Sequence, residues 1–185
     1  LHVPIAWVAF LAFVIVFVAS IVYLKSADKR WDALAHSAAE LGVVFATLIL
    51  ITGAIWAKPV WGVWWRWDPR LTSSLILWLI YIPYLMLRAY APTPGQAARY
   101  SAVLGIFGFF DVPIVYFSTR WWRTQHPETL LGPGSQGGSL ESSMAVVFVF
   151  SLITFTVFFV YLMWHRFTLR RSEDTVERLS RAIQG

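Results

Sequence analysis

Trp61-Gly62-Val63-Trp64-Trp65-Arg66-Trp67-Asp68-Pro69-Arg70-Leu71-Thr72-Ser73 joins two long apolar runs and holds four tryptophans within seven residues, beside two arginines and an aspartate. The runs on either side decide the fold class. One extends from about Leu34 to Ala57 and is closed by Lys58-Pro59; the other starts at Asp68-Pro69 and ends near Arg88. Each is close to the ~20 mostly apolar residues that an α-helix needs to cross a bilayer. A tryptophan cluster between two such runs has two readings. It is an interfacial belt, with indoles anchoring helix ends at the headgroups. Or it is a flat apolar platform for a large planar ligand, with arginines placed to meet that ligand's anionic groups.

Outward from this stretch the same pattern repeats. Val3 to Leu24 is a span with Pro4 in its first turn, and Lys25-Ser26-Ala27-Asp28-Lys29-Arg30 is a short charged connector. Ala91 to Ala98 connects to a fourth span, from about Tyr100 to Phe117. A polar outer loop over 119–143, containing Gly132-Pro133-Gly134 and Gly137-Gly138, precedes a fifth span from Met144 to Trp164. The charged segment 166–185 is expected to be a cytoplasmic tail, with a short amphipathic helix from Ser172 to Ile183 on the inner membrane face. The whole of 1–185 therefore reads as one membrane domain, an all-α bundle of five transmembrane helices with a short tryptophan-rich segment, 59–73, at its outer face. Composition agrees: 58% of the 185 residues are hydrophobic and only 14% charged, against about a quarter charged in soluble domains. Mean hydropathy is +0.61. The net charge of +5 reads as a topology signal and not as a nucleic-acid footprint. The absence of cysteine excludes disulfide, thiolate–metal and thiol-redox chemistry. Leu1 is not a methionine and no charged leader precedes the first apolar run, so a missing N-terminal segment, including a helix, is expected.

Basic residues orient the bundle. Lys25, Lys29, Arg30, Arg88, Arg99, Arg166, Arg170, Arg171, Arg178 and Arg181 fall on one side, and Lys58, Arg66, Arg70, Arg120 and Arg123 on the other, so the richer side is cytoplasmic. Parity of crossings then puts His2, the tryptophan-rich segment and Trp121-Trp122-Arg123-Thr124-Gln125-His126 on the same outer side. Two histidines and a tryptophan platform facing one compartment is the arrangement of a bis-histidine heme site. Imidazole is a standard axial ligand, indole faces cover a porphyrin, and arginines meet propionates. Each piece also has a plainer reading. His2 and His126 are polar residues at an interface or in a loop. Trp121 and Trp122 suit a belt. Arg66 is a propionate or lipid-phosphate contact, and Arg70 snorkels or pairs with Asp68. Asp68 before Pro69 fits a helix N-cap and first helical position.

His36 and His165 lie at inner helix ends, so no histidine is placed mid-span for a buried cytochrome site, although an inner-side pair remains a rival. Glu40 is expected near the interface. Asp111 is a deeper intramembrane carboxylate with no assignable partner, and Pro113 is expected to bend its span. No phosphate-binding glycine loop, activated nucleophile or acid–base pair of carboxylates is recognisable.

The stretch 61–73 resembles the tryptophan-rich "WWD" signature of the heme-handling proteins of cytochrome c maturation. Within that superfamily the chain resembles the CcmC, or heme exporter protein C, family. Leu1-His2-Val3-Pro4 is similar to that family's first external histidine motif. Val115-Tyr116-Phe117-Ser118 followed by Trp121 to His126 is similar to its second, and Thr52-Gly53-Ala54-Ile55-Trp56-Ala57-Lys58-Pro59 to the lead-in of the signature. The resemblance runs from Leu1 to about Trp164. It implies six helices in the full protein and heme b held at the outer, periplasmic face of the bacterial inner membrane. It implies His2 and His126 as axial ligands, and Trp61, Trp64, Trp65, Trp67, Trp121 and Trp122 as the platform. Arg66, Arg70 and Arg123 are propionate candidates, but the resemblance does not extend that role to Arg66. It further implies delivery of heme to the chaperone CcmE, with CcmD and the ABC transporter subunits CcmA and CcmB as partners. Membrane lipids surround the bundle and nucleic acid is not expected. On this reading the protein is a transfer scaffold and not an enzyme, with ATP hydrolysis in a partner. The rivals are a heme lyase of the same superfamily, a membrane b-type cytochrome using His36 and His165, and a permease subunit whose tryptophans form only a belt.

Overall fold

The computed structural model describes residues 1–122, 124–127 and 141–184. Those residues form six helices and no strand: α1 (His2–Ser26), α2 (Lys29–Trp61), α3 (Pro69–Tyr90), α4 (Pro94–Phe109), α5 (Asp111–Trp121) and α6 (Ser142–Gln184). α4 and α5 together make one crossing, so five stretches are long and apolar enough to cross a membrane. The protein is an all-α integral membrane protein, as its hydropathy predicts.

Local chemistry sets most boundaries. The Asp28 side chain caps α2 by accepting from Arg30 N–H, and Asp68 caps α3 by accepting from Arg70 N–H at 2.9 Å, with Pro69 at the first position. The expected cap at Asp68 is therefore present. α2 does not stop at Lys58-Pro59. It runs through Pro59 to Trp61 and ends on Gly62, whose φ of 77° suits a residue without Cβ. Lys58 Nζ closes this end by donating to Gly62 O at 3.1 Å. The fourth span begins earlier than expected, because Thr93 and Pro94 supply a cap and first turn inside the presumed connector. Its bend lies at Phe110. Pro113 has no N–H for the Phe109 carbonyl, so the helix is interrupted three residues before the proline.

The expected separate tail helix is a correction. α6 continues unbroken for 43 residues, which is about 65 Å, roughly twice a bilayer's hydrocarbon core. The segment after Trp164 has no helix breaker, and Arg166 and Arg170 both pair with Glu173 one to two turns on. The amphipathic stretch is thus the far end of the last span.

Small residues let the helices approach. Alanines 9, 12, 38, 39 and 46 lie in the core, and Gly42 faces Phe13 so closely that a Cβ would sit 2.7 Å from its ring. Phe13 stacks on Tyr81 at 4.1 Å, and Tyr81 donates to Gly105 O at 3.1 Å, joining α1, α3 and α4. α6 is the outlying helix; 11% of its apolar window is buried. It touches the bundle through Phe159 and Met163, and through Trp7 Nε1 donating to Thr156 at 3.2 Å. At the end opposite the tryptophans, Arg88 makes a bidentate pair with Asp32, with one bond at 2.9 Å, and also donates to Tyr84. Glu40 is held by Arg166 and by His36.

Candidate functional site

The end of the bundle that carries the tryptophans also gathers both predicted histidines. His2 opens α1, where its ring lies against α2. A Cβ on Gly53 would be 3.2 Å from His2 Cε1, so the glycine makes room for the imidazole. His2 Nδ1 is 2.8 Å from Thr52 Oγ1. The Thr52 hydroxyl spends its only proton on Leu48 O, at 2.6 Å. With that proton on Leu48 O, the hydroxyl accepts from His2 Nδ1–H and the Nε2 lone pair is left for a ligand.

His126 reaches the same tautomer by another route. Its Nδ1 lies 2.9 Å from Pro127 O. A carbonyl can only accept, so Nδ1 carries the hydrogen and Nε2 is again the free base. Metal-binding imidazoles are oriented in this way, with the second nitrogen donating to an oxygen. The His126 ring packs against Trp56 and Trp61, at centroid distances of 6.5 and 6.4 Å, and those two indoles meet edge-to-face at 5.3 Å. Burial, and then the positive charge of Arg70, hold His126 below the ordinary histidine range. The Pro127 carbonyl and Asp68 oppose this. Neutral imidazole, the ligating form, is thereby favoured. His126 and Arg70 both lie close enough to His2 to act on it electrostatically.

Among the described residues, Arg70 is the cation that acts on both histidines. Its Nη1 is buried and has no hydrogen-bond partner. A buried unpaired guanidinium nitrogen is rare and marks a place for an acceptor. Arg66 lines a groove with Trp67, Asp68, Pro69, Thr124 and Gln125. Arg123 falls outside the described residues, as does most of the 119–143 loop.

The ring contacts of the six predicted platform tryptophans fall into separate groups. Trp61 is beside His126. Trp64 lies under Lys58 at 5.9 Å, Trp65 and Trp67 meet edge-to-face at 5.7 Å, and Trp121 stacks on Phe117 and abuts Trp122. Among the described residues no ring contact links these groups to His126. Trp65 Nε1 is buried without a partner, while Trp67 is 76% exposed. Sequence reasoning missed Trp56, Thr52 and Gly53 as site residues. The spacing of four between Thr52 and Trp56, which puts them on one helix face, was the available signal. His36 and His165 are not joined: Glu40 engages His36 Nε2 at 3.1 Å, and Tyr161 packs on His165 at 4.6 Å. Asp111 is buried with Oδ2 unpartnered.

The family model described as heme exporter protein C matches residues 1–181. The chain belongs to the heme exporter protein C family. Heme exporter protein C of Bradyrhizobium diazoefficiens is 37% identical over 185 residues, covering all of this chain and 68% of that protein. The Paracoccus denitrificans protein of the same name is 33% identical over 97% of this chain and 73% of its own length. That of Escherichia coli K12 is 35% identical over 68% of this chain and 51% of its own length. The matched region covers both histidines, the tryptophan-rich segment and all but the last three residues of α6.

Proposed function

We propose that this chain binds heme b at the tryptophan-bearing end of the bundle, with His2 and His126 as axial ligands, and presents it to an acceptor during cytochrome c maturation. The observation that carries this reading is the hydrogen bonding of the two histidines. They are 124 positions apart in sequence, lie at one site, and each has Nδ1 occupied by an oxygen and Nε2 bare. The orphaned Nη1 of Arg70 fits a propionate, and Trp56 and Trp61 offer apolar faces beside His126. Heme is the cargo, and it supplies the iron that the two imidazoles hold. The chain supplies orientation, apolar cover and a counter-charge.

The excess of basic residues at the opposite end supports a periplasmic orientation for this site in a bacterial inner membrane. The acceptor is the chaperone CcmE, and the chain works with CcmD and the transporter subunits CcmA and CcmB. It is a transfer scaffold and not an enzyme. The names of its relatives and its family membership support a heme-handling role in cytochrome c maturation.

The test is the absorption spectrum of the purified protein beside a His2→Ala, His126→Ala double variant. A Soret band that shifts or vanishes in the variant is expected. The same heme spectrum in both would place the iron elsewhere. No heme in either would leave the tryptophans as a membrane belt.

A further inference from the structure

Asp68 uses its two carboxylate oxygens for different tasks. Oδ1 accepts Arg70 N–H and caps α3. Oδ2 accepts the Thr124 hydroxyl, and Gln125 N–H at 3.2 Å. Thr124 Oγ1 in turn accepts the backbone N–H of His126 at 3.1 Å. A carboxylate only 9% exposed thus joins the start of α3 to the loop residues directly before His126. Hydrogen bonds to an ionised acceptor are stronger than neutral ones, so this is a firm anchor for a loop that lies outside any helix.

We propose that Asp68 is the positioning residue for His126: its Oδ2 holds Thr124 and Gln125, and through them sets the second histidine against Trp56 and Trp61. Arg70, two residues on, is placed by the same cap. One side chain therefore fixes the second ligand and the site's cation relative to each other. This rests on His126 being a heme ligand, as proposed above.

Asp68→Asn separates the two tasks. Asparagine caps helices as well as aspartate does, but its amide has one acceptor oxygen. It can serve the α3 cap or the loop donors, not both. Thr124→Val cuts the same link from the loop side. The full chain in detergent is titrated with hemin as wild type, Asp68→Asn, Thr124→Val, His126→Ala, and the Asp68→Asn, His126→Ala double variant. Loss of an outer partner of a metal ligand costs about 10–100-fold in affinity. That weakening is expected for Asp68→Asn and Thr124→Val, with loss of the six-coordinate low-spin spectrum and its return on adding imidazole. The double variant should bind no more weakly than His126→Ala alone, because Asp68 acts through His126.

The proposal is overturned if both single variants keep the wild-type spectrum and affinity, or if the losses from Asp68→Asn and His126→Ala multiply. Should Asp68→Asn fail to accumulate, Thr124→Val decides. A wild type without heme, or a His126→Ala variant with the wild-type spectrum, overturns the ligand assignment beneath the proposal.

Discussion

Thr52→Val tests the tautomer argument with almost no change of shape. Valine replaces a hydroxyl by a methyl and keeps the β-branch, so α2 is not disturbed. Leu48 O loses one of its donors but keeps its place in the helix ladder. What changes is His2, whose Nδ1–H no longer has the acceptor now 2.8 Å away. Leaving such a donor unmet costs about 1–3 kcal/mol, which is about 5- to 150-fold in affinity. The ring can escape by moving its proton to Nε2, but that removes the ligating lone pair, so both routes weaken heme binding. Thr52→Ser keeps the hydroxyl and is the control. The assay is a hemin titration followed at the Soret band in detergent. Heme affinity for Thr52→Val within twofold of wild type would refute the reasoning. So would an equal loss in Thr52→Ser, because the effect would then not belong to the hydroxyl.

Two further outcomes follow from the charges. Arg88→Met leaves Asp32, whose side chain is 20% exposed, without a guanidinium that is itself only 6% exposed. Removing one partner of a buried pair costs about 3–5 kcal/mol, so its melting temperature in detergent should fall well below wild type, and Asp32→Asn added to it should recover much of the loss; an unchanged melt for Arg88→Met would show the pair to be idle. For pH, neutral imidazole is the ligating form of His126, and burial and Arg70 lower its proton affinity. Ligation should therefore persist as pH falls through the ordinary histidine value of about 6.5 and fail only further down. Arg70→Gln removes one of the two lowering causes, so the acid midpoint of heme loss, read spectroscopically, should move up; an unmoved midpoint would show that Arg70 does not act on this histidine.

Several features were readable before any coordinates. Mean hydropathy and run length gave five spans, and Asp68-Pro69 announced the start of α3 because capping is a local interaction of adjacent residues. Crossing parity alone put His2, the tryptophans and His126 at one end of the bundle. Boundaries were less legible where local signals conflict. Pro59 looked like a stop, yet it sits in the last turn, where the helix tolerates it until Gly62 turns the chain. The charged residues after Trp164 looked like a change of element. They are the solvated end of α6, since a helix without a breaker has no reason to stop at the membrane surface.

By itself, then, the sequence determined the membrane class, the number of crossings, and which histidines share a side. Those follow from the length of apolar runs and the count of crossings, which need no knowledge of packing. Tertiary structure decided which groups meet. Thr52 engages His2 Nδ1 from 50 positions away, and Asp68 holds Thr124 from 56 positions away. It also brought Trp56, from α2, against His126 from a loop 70 positions on. A hydrogen bond depends on distances of about 3 Å and on direction. Residue order sets neither for groups on different helices; the packing of those helices does.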